Sequence, residues 1–121
     1  MILADTSVWI DHIRRNDLRM RALLEERSIL MHPHVLGEIA LGNLRNRAEV
    51  LEFLQGLPQL IVADDAEVLL LIDRQALEGS GIGYVDAHLL ASIKLVAGSK
   101  LWTRDKQLAR VAVRMAVAAD H

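Results

Sequence analysis

Four short apolar runs punctuate the chain, and each ends where polar or helix-starting residues begin. Met1-Ile2-Leu3-Ala4 stops at Asp5-Thr6-Ser7, and Ser28-Ile29-Leu30-Met31 stops before Pro33. Leu60-Ile61-Val62-Ala63 closes on Asp64-Asp65, and Lys100-Leu101-Trp102-Thr103 leads into Arg104-Asp105. Unbroken apolar runs of this length predict strands buried on both faces. Between them the spacing turns helical: Val8 to Ile13, Leu18 to Glu26, His34 to Leu44, Arg47 to Leu54, Ala66 to Leu77, Tyr84 to Val96 and Lys106 to Ala112, with a last apolar run from Met115 to Ala119. Asp64 and Glu67 have the spacing of a capping box, the glycine-rich Gly79 to Gly83 stretch predicts a loop, and Gly98 closes a helix. Strands alternating with helices predict an α/β fold whose parallel sheet is covered on both faces.

Composition narrows this to a single domain over residues 1–121, with 52% hydrophobic residues and a mean hydropathy of +0.23. That richness excludes a disordered chain. Without cysteine there is no disulfide scaffold, thiolate zinc site or cysteine nucleophile, in keeping with a reducing cytosol. Met1 to Asp11 lacks the basic start of a signal peptide, and the aliphatic run Val68 to Ile72 is far short of the roughly 20 residues of a membrane span. A soluble, cytoplasmic protein is expected. A net charge of −2 and a pI near 6.2 exclude a generic nucleic-acid coat. The charge is uneven, however: residues 61–90 carry a net −5 and residues 91–121 a net +4.

Most acidic residues read as solvated helix faces, but four resist that reading. Asp5 and Asp105 sit at the ends of apolar strands, where α/β sheets bind ligands. Each also has the place of a helix N-cap. Glu38 lies within Val35-Leu36-Gly37-Glu38-Ile39-Ala40-Leu41, a nearly all-apolar helix, and Asp86 shares a helical row with Leu90, Ile93 and Ala97 that would face the sheet. Ionised carboxylates gathered in a dry cleft repel one another, and a divalent cation relieves that cost. Oxygen-only ligands select a hard ion, Mg²⁺ or Mn²⁺. The histidines, His12, His32, His34, His88 and His121, offer no i, i+4 pair for zinc and are not expected to be ligands. No Walker motif and no glycine-flanked serine elbow is present. Carboxylates with Mg²⁺ point to phosphoryl transfer with water as nucleophile.

The ordered set Asp5-Thr6-Ser7, Glu38, Gly83-Tyr84-Val85-Asp86 and Thr103-Arg104-Asp105 resembles the PIN-domain ribonucleases, and the opening Leu3 to Asp11 resembles the VapC toxins of toxin–antitoxin modules. The likeness spans essentially the whole chain. It implies a PIN-like α/β/α sandwich with a central, mainly parallel sheet and a Mg²⁺- or Mn²⁺-dependent endoribonuclease site. Asp5, Glu38, Asp86 and Asp105 match the family's acidic quartet: Asp5 and Asp86 as metal ligands, Glu38 and Asp105 completing the site directly or through water. Thr6, Ser7 and Thr103 match hydroxyl positions that support those carboxylates. The resemblance further implies an RNA substrate cut to 5′-phosphate and 3′-hydroxyl ends, a cognate VapB-like antitoxin and a homodimer. Lys94, Arg104, Lys106 and Arg110 are candidates for holding RNA phosphates at the cleft rim. Two other readings compete. A receiver-type phosphoacceptor domain is suggested by Leu60 to Asp65, but that acidic pair comes halfway along the chain and leaves too little sequence after it. A non-catalytic, partner-binding PIN-like module is disfavoured by the intact quartet.

Overall fold

The structure, a computed structural model, describes residues 1–120; His121 lies outside the described residues. The chain begins in its central strand. β1 (Ile2–Ala4) pairs in parallel on one side with β2 (Ile29–Leu30) and on the other with β3 (Lys100–Trp102), giving the order β2-β1-β3. Register places Ile2 opposite Ile29 and Lys100, and Ala4 opposite Trp102. Leu3, Ala4, Ile29, Leu30, Leu101 and Trp102 are all buried, as a sheet covered on both faces requires. Seven helices surround it among the described residues: α1 (Thr6–Arg15), α2 (Leu18–Glu25), α3 (Pro33–Ala40), α4 (Arg47–Gln55), α5 (Asp65–Arg74), α6 (Tyr84–Leu95) and α7 (Lys106–Arg114). The fold is an α/β/α sandwich.

Helix starts follow local chemistry. Asp5, Asp17 and Asp105 each accept a backbone N–H two or three residues into the helix they open, and Asp64 and Glu67 form a reciprocal capping box at α5. Pro33 opens α3, where its missing N–H costs nothing. α6 is buried on all sides from Ala87 to Ile93, so it forms the helical half of the core. α7 shows the opposite pattern, with Leu108, Val111 and Ala112 buried and its charged residues in solvent.

The strand expected over Leu60 to Ala63 does not form. Its start touches the sheet through one bridge, Met31 to Gln59, with the Met31 N–H donating to the Pro58 carbonyl and the Leu60 N–H to the Met31 carbonyl. The ladder cannot go further because β2 ends at once: Pro33 starts a helix and offers no N–H. Ile61 and Val62 are left exposed, and the Ala63 N–H turns instead to the Ser92 hydroxyl (3.3 Å). At the other edge, the final apolar run adds a single bridge, Leu101 to Ala118, rather than a strand. Ala97, expected on the buried row of α6, lies beyond the helix and is exposed.

Candidate active site

Asp5 ends β1, and its carboxylate is the most tightly held polar group at the carboxyl end of the sheet. Its Oδ1 accepts from the Ser7 hydroxyl (2.5 Å) and from the Val8 N–H (3.2 Å); its Oδ2 accepts from the Thr103 hydroxyl. Both hydroxyls are themselves fixed. The Arg104 N–H donates to Ser7 Oγ (3.0 Å) and the Asp105 N–H donates to Thr103 Oγ1 (3.0 Å). Since each hydroxyl oxygen accepts a backbone N–H, its proton is directed at Asp5. The turn after β3 and the start of α1 thus form one hydrogen-bonded unit around a residue that is only 5% exposed.

The other three members of the quartet are less enclosed. Asp105 caps α7 through Oδ1 on the Leu108 N–H (2.9 Å) and is otherwise exposed. Capping and facing the cleft are therefore compatible, because the cap uses one oxygen. Glu38 is exposed, a correction to the all-round apolar reading of its helix: α3 buries Val35 and Ile39 and leaves Gly37, Glu38 and Leu41 toward solvent. Its Oε1 accepts from the Thr6 hydroxyl (2.6 Å), which ties it to the first residue of α1. Asp86 is half-buried in the first turn of α6 and accepts the Gly83 N–H on Oδ2 (3.2 Å).

The other three carboxylates are near enough to act on Asp86. Burial raises the Asp86 carboxyl above its ordinary range; the Gly83 N–H opposes this, and the charges of Asp5, Asp105 and Glu38 push it further up. No cation among the described residues pairs with any of the four. Nor do any three His, Asp or Glu side chains among the described residues lie close enough to close directly around one ion. The donor set fits a hard divalent ion that keeps several waters, as Mg²⁺ does, with carboxylates reaching it partly through those waters.

The glycine loop connects the two sides of the cleft. Gly81 has φ +87°, and a Cβ there would meet the Gln107 amide at 2.6 Å. The Gln107 amide is the end of a flexible, exposed side chain that can move aside, so it is the positive φ that favours glycine in the loop before Gly83 and Asp86.

Of the four cations expected at the rim, two are elsewhere. Arg104 is bound by Asp11 and Asp17 (each 2.7 Å), and Lys94 lies near the far end of α6, about 12 Å along the helix axis from Asp86. Lys106 and Arg110 on α7 remain exposed, with no ion pair among the described residues.

A second polar cluster escaped the sequence reading. Buried His32 caps α3 through Nδ1 on the His34 N–H (3.0 Å) and contacts Ser92 through Nε2 (3.0 Å). The rings of His32, His34, His88 and Tyr84 meet edge-to-face in succession, and Asp65 accepts from the Tyr84 hydroxyl (2.8 Å) and contacts His88 Nε2 (3.1 Å). The i, i+4 spacing of Tyr84 and His88 was the one signal available for it. Burial, followed by the neighbouring His34 and His88, lowers His32 to a pKa of about 4, so it is neutral near pH 7.

A parallel three-stranded sheet with carboxylates at its strand ends and on two flanking helices is the architecture of the PIN domain, and the PIN domain family model matches residues 2–114. The chain belongs to that family. Within it the chain is VapC-type: it is 48% identical over 118 residues to Ribonuclease VapC32 of Mycobacterium tuberculosis, from both the CDC 1551 / Oshkosh and the ATCC 25618 / H37Rv strains, covering 98% of this chain and 95% of that protein.

Proposed function

We propose that this protein is a Mg²⁺- or Mn²⁺-dependent endoribonuclease, the toxin of a VapBC-like module, with Asp5, Glu38, Asp86 and Asp105 as its acidic site. The observation that carries this reading is the surroundings of Asp86: three further carboxylates and no cation act on a half-buried acid. Such an arrangement is unfavourable in the metal-free protein and becomes favourable around a divalent ion. Asp5 and Asp86 act as ligands; Glu38 and Asp105 complete the site directly or through water. When bound, the metal supplies a water of lowered pKa and neutralises charge on the attacked phosphate. The chain's own part is placement. Ser7 and Thr103 hold Asp5, Thr6 holds Glu38, and Gly83 holds Asp86. Lys106 and Arg110 carry RNA phosphates leading toward the cleft. In-line attack by water leaves 5′-phosphate and 3′-hydroxyl ends.

The same reading assigns a VapB-like antitoxin as partner. A groove of about 520 Å³ between α1 and α4, lined by Trp9, Ile13, Val50 and half-exposed Phe53, supports a seat for an apolar segment of it. Exposed Leu69, Leu70 and Leu95 on α5 and α6 support a homodimer. No described helix is long and apolar enough to cross a membrane, and the action assigned is cytoplasmic. The test is cleavage of structured RNA by the partner-free protein in Mg²⁺, Mn²⁺ or EDTA. Metal-dependent cleavage lost in folded Asp5→Asn and Asp86→Asn supports the reading; equal cleavage in EDTA overturns it.

A further inference from the structure

Arg104 stands between two residues of the site, Thr103 and Asp105, yet its side chain is paired with carboxylates outside the quartet. Its Nε meets Asp11 Oδ2 on α1 at 2.7 Å and its Nη2 meets Asp17 Oδ2 at the start of α2 at 2.7 Å. The guanidinium also lies 5.7 Å from the centre of the Trp102 ring, on a side chain almost wholly buried in β3. Asp17 is fixed in its own right, because its Oδ1 accepts the Met20 N–H (2.9 Å). The backbone of Arg104 is equally engaged, with its N–H on Ser7 Oγ. One residue thus fastens the turn after β3 to two helices by its side chain and, by its backbone, to the Ser7 hydroxyl that bonds Asp5.

We propose that Arg104 is a positioning residue of the acidic site: clamped by Asp11 and Asp17, it fixes the turn that sets Asp5 through Thr103 and that presents Asp105 to the metal. This rests on the metal-dependent nuclease reading above. Two nitrogens of the fork are engaged by carboxylates, so an RNA phosphate would have to displace an existing ion pair to bind there. Lysine cannot replace the clamp, since a single ammonium does not span two carboxylates as the planar fork does. Without the clamp the turn gains freedom, Asp5 and Asp105 lose their relative placement, and affinity for the divalent ion falls. Partners that orient a metal's ligands are typically worth about 10–100-fold in affinity.

The test compares Arg104→Gln, Arg104→Lys and Asp11→Asn with the unaltered protein. Mn²⁺ affinity is measured by titration calorimetry well below the unfolding temperature, and RNA affinity is measured in EDTA over a range of salt. The expected result for Arg104→Gln is Mn²⁺ binding weaker by about 10–100-fold, with RNA affinity and its salt slope unchanged. Asp11→Asn should act in the same direction, and Arg104→Gln combined with Asp11→Asn should be no worse than Arg104→Gln alone. Two results overturn the proposal. One is unchanged Mn²⁺ affinity with weaker RNA binding and a salt slope reduced by about 1, which makes Arg104 an RNA contact. The other is a lowered unfolding temperature with unchanged Mn²⁺ affinity, which makes it merely structural. Should Arg104→Gln not fold, Arg104→Lys and Asp11→Asn carry the same comparison. Failure of the nuclease reading would appear separately, as absent cleavage by unaltered protein that binds Mn²⁺.

Discussion

Asp5 ends the central strand with both carboxylate oxygens accepting side-chain hydroxyls, each hydroxyl in turn accepting a backbone N–H from the turn after β3. Asp86, in the same cleft, accepts one N–H from the glycine loop, and its charge is opposed by burial and by its three acidic neighbours. The first carboxylate is built into the fold as a structural acceptor. The second is held in a place where its charge is costly until something positive arrives. The difference teaches that neighbouring carboxylates can differ in kind: one is an anchor satisfied by the fold, the other a group whose strain a bound cation would relieve.

The largest effect expected is on activity, and it should not separate the two: Asp5→Asn and Asp86→Asn both bring RNA cleavage in Mg²⁺ to background. Stability should separate them. In EDTA near neutral pH, Asp5→Asn should lower stability by about 1–3 kcal/mol, because an amide nitrogen facing Ser7 or Thr103 leaves a hydroxyl proton without its acceptor. Asp86→Asn should raise the unfolding temperature, because it removes the disfavoured charge while its amide oxygen still accepts from Gly83. A stabilising Asp5→Asn, measured by urea unfolding, would break the comparison.

The pH dependence follows with a definite sign. A carboxyl whose folded pKa is raised contributes stability below its unfolded pKa and loses it as pH climbs through the folded value. In EDTA the unaltered protein should therefore lose stability relative to Asp86→Asn as pH rises from about 4 toward neutrality, and saturating Mn²⁺ should close that gap. Identical pH profiles for the two proteins would count against the strained role of Asp86.

Among the hydroxyls, Thr103→Val should cost about 10–100-fold in cleavage at limiting Mg²⁺. Thr6→Val should cost less, because the Glu38 it supports is exposed and adaptable. Equal losses would mean that the two sides of the cleft are equally rigid. The smallest effect lies outside the cleft. His32, with its pKa lowered to about 4, should contribute full stability above about pH 6.5 and progressively less as pH falls toward 4, since the unfolded chain takes up the proton first. Acid unfolding of His32→Gln should show a shallower slope over that interval.

Where strand and cap signals coincide locally, the sequence was legible. Ile2 to Asp5 and Leu101 to Asp105 each hold an apolar run and a capping aspartate within five residues, and both strand ends and both acids are found there. Leu60 to Ala63 has the same apolar appearance, but whether it pairs is decided by Pro33, which ends the neighbouring strand. The apolar residues around Glu38 do not reveal which face of its helix it occupies, and a helix packed on one face only leaves it in solvent. Arg104 was least legible. Nothing near it in sequence announces Asp11 or Asp17, and an arginine beside an acidic motif of a nucleic-acid enzyme invites assignment to phosphate until the ion pairs are seen.

The placement of β1 has a consequence for folding. It pairs on one side with β2, which follows closely in the chain, and on the other with β3, which lies far along it. Thr103, which holds Asp5, and Asp105, which completes the quartet, follow immediately after that strand. Pairings this distant in the chain form slowly and only once both partners exist. The surroundings of Asp5 are therefore completed only when the two most distant parts of the sheet have met, late in folding rather than early.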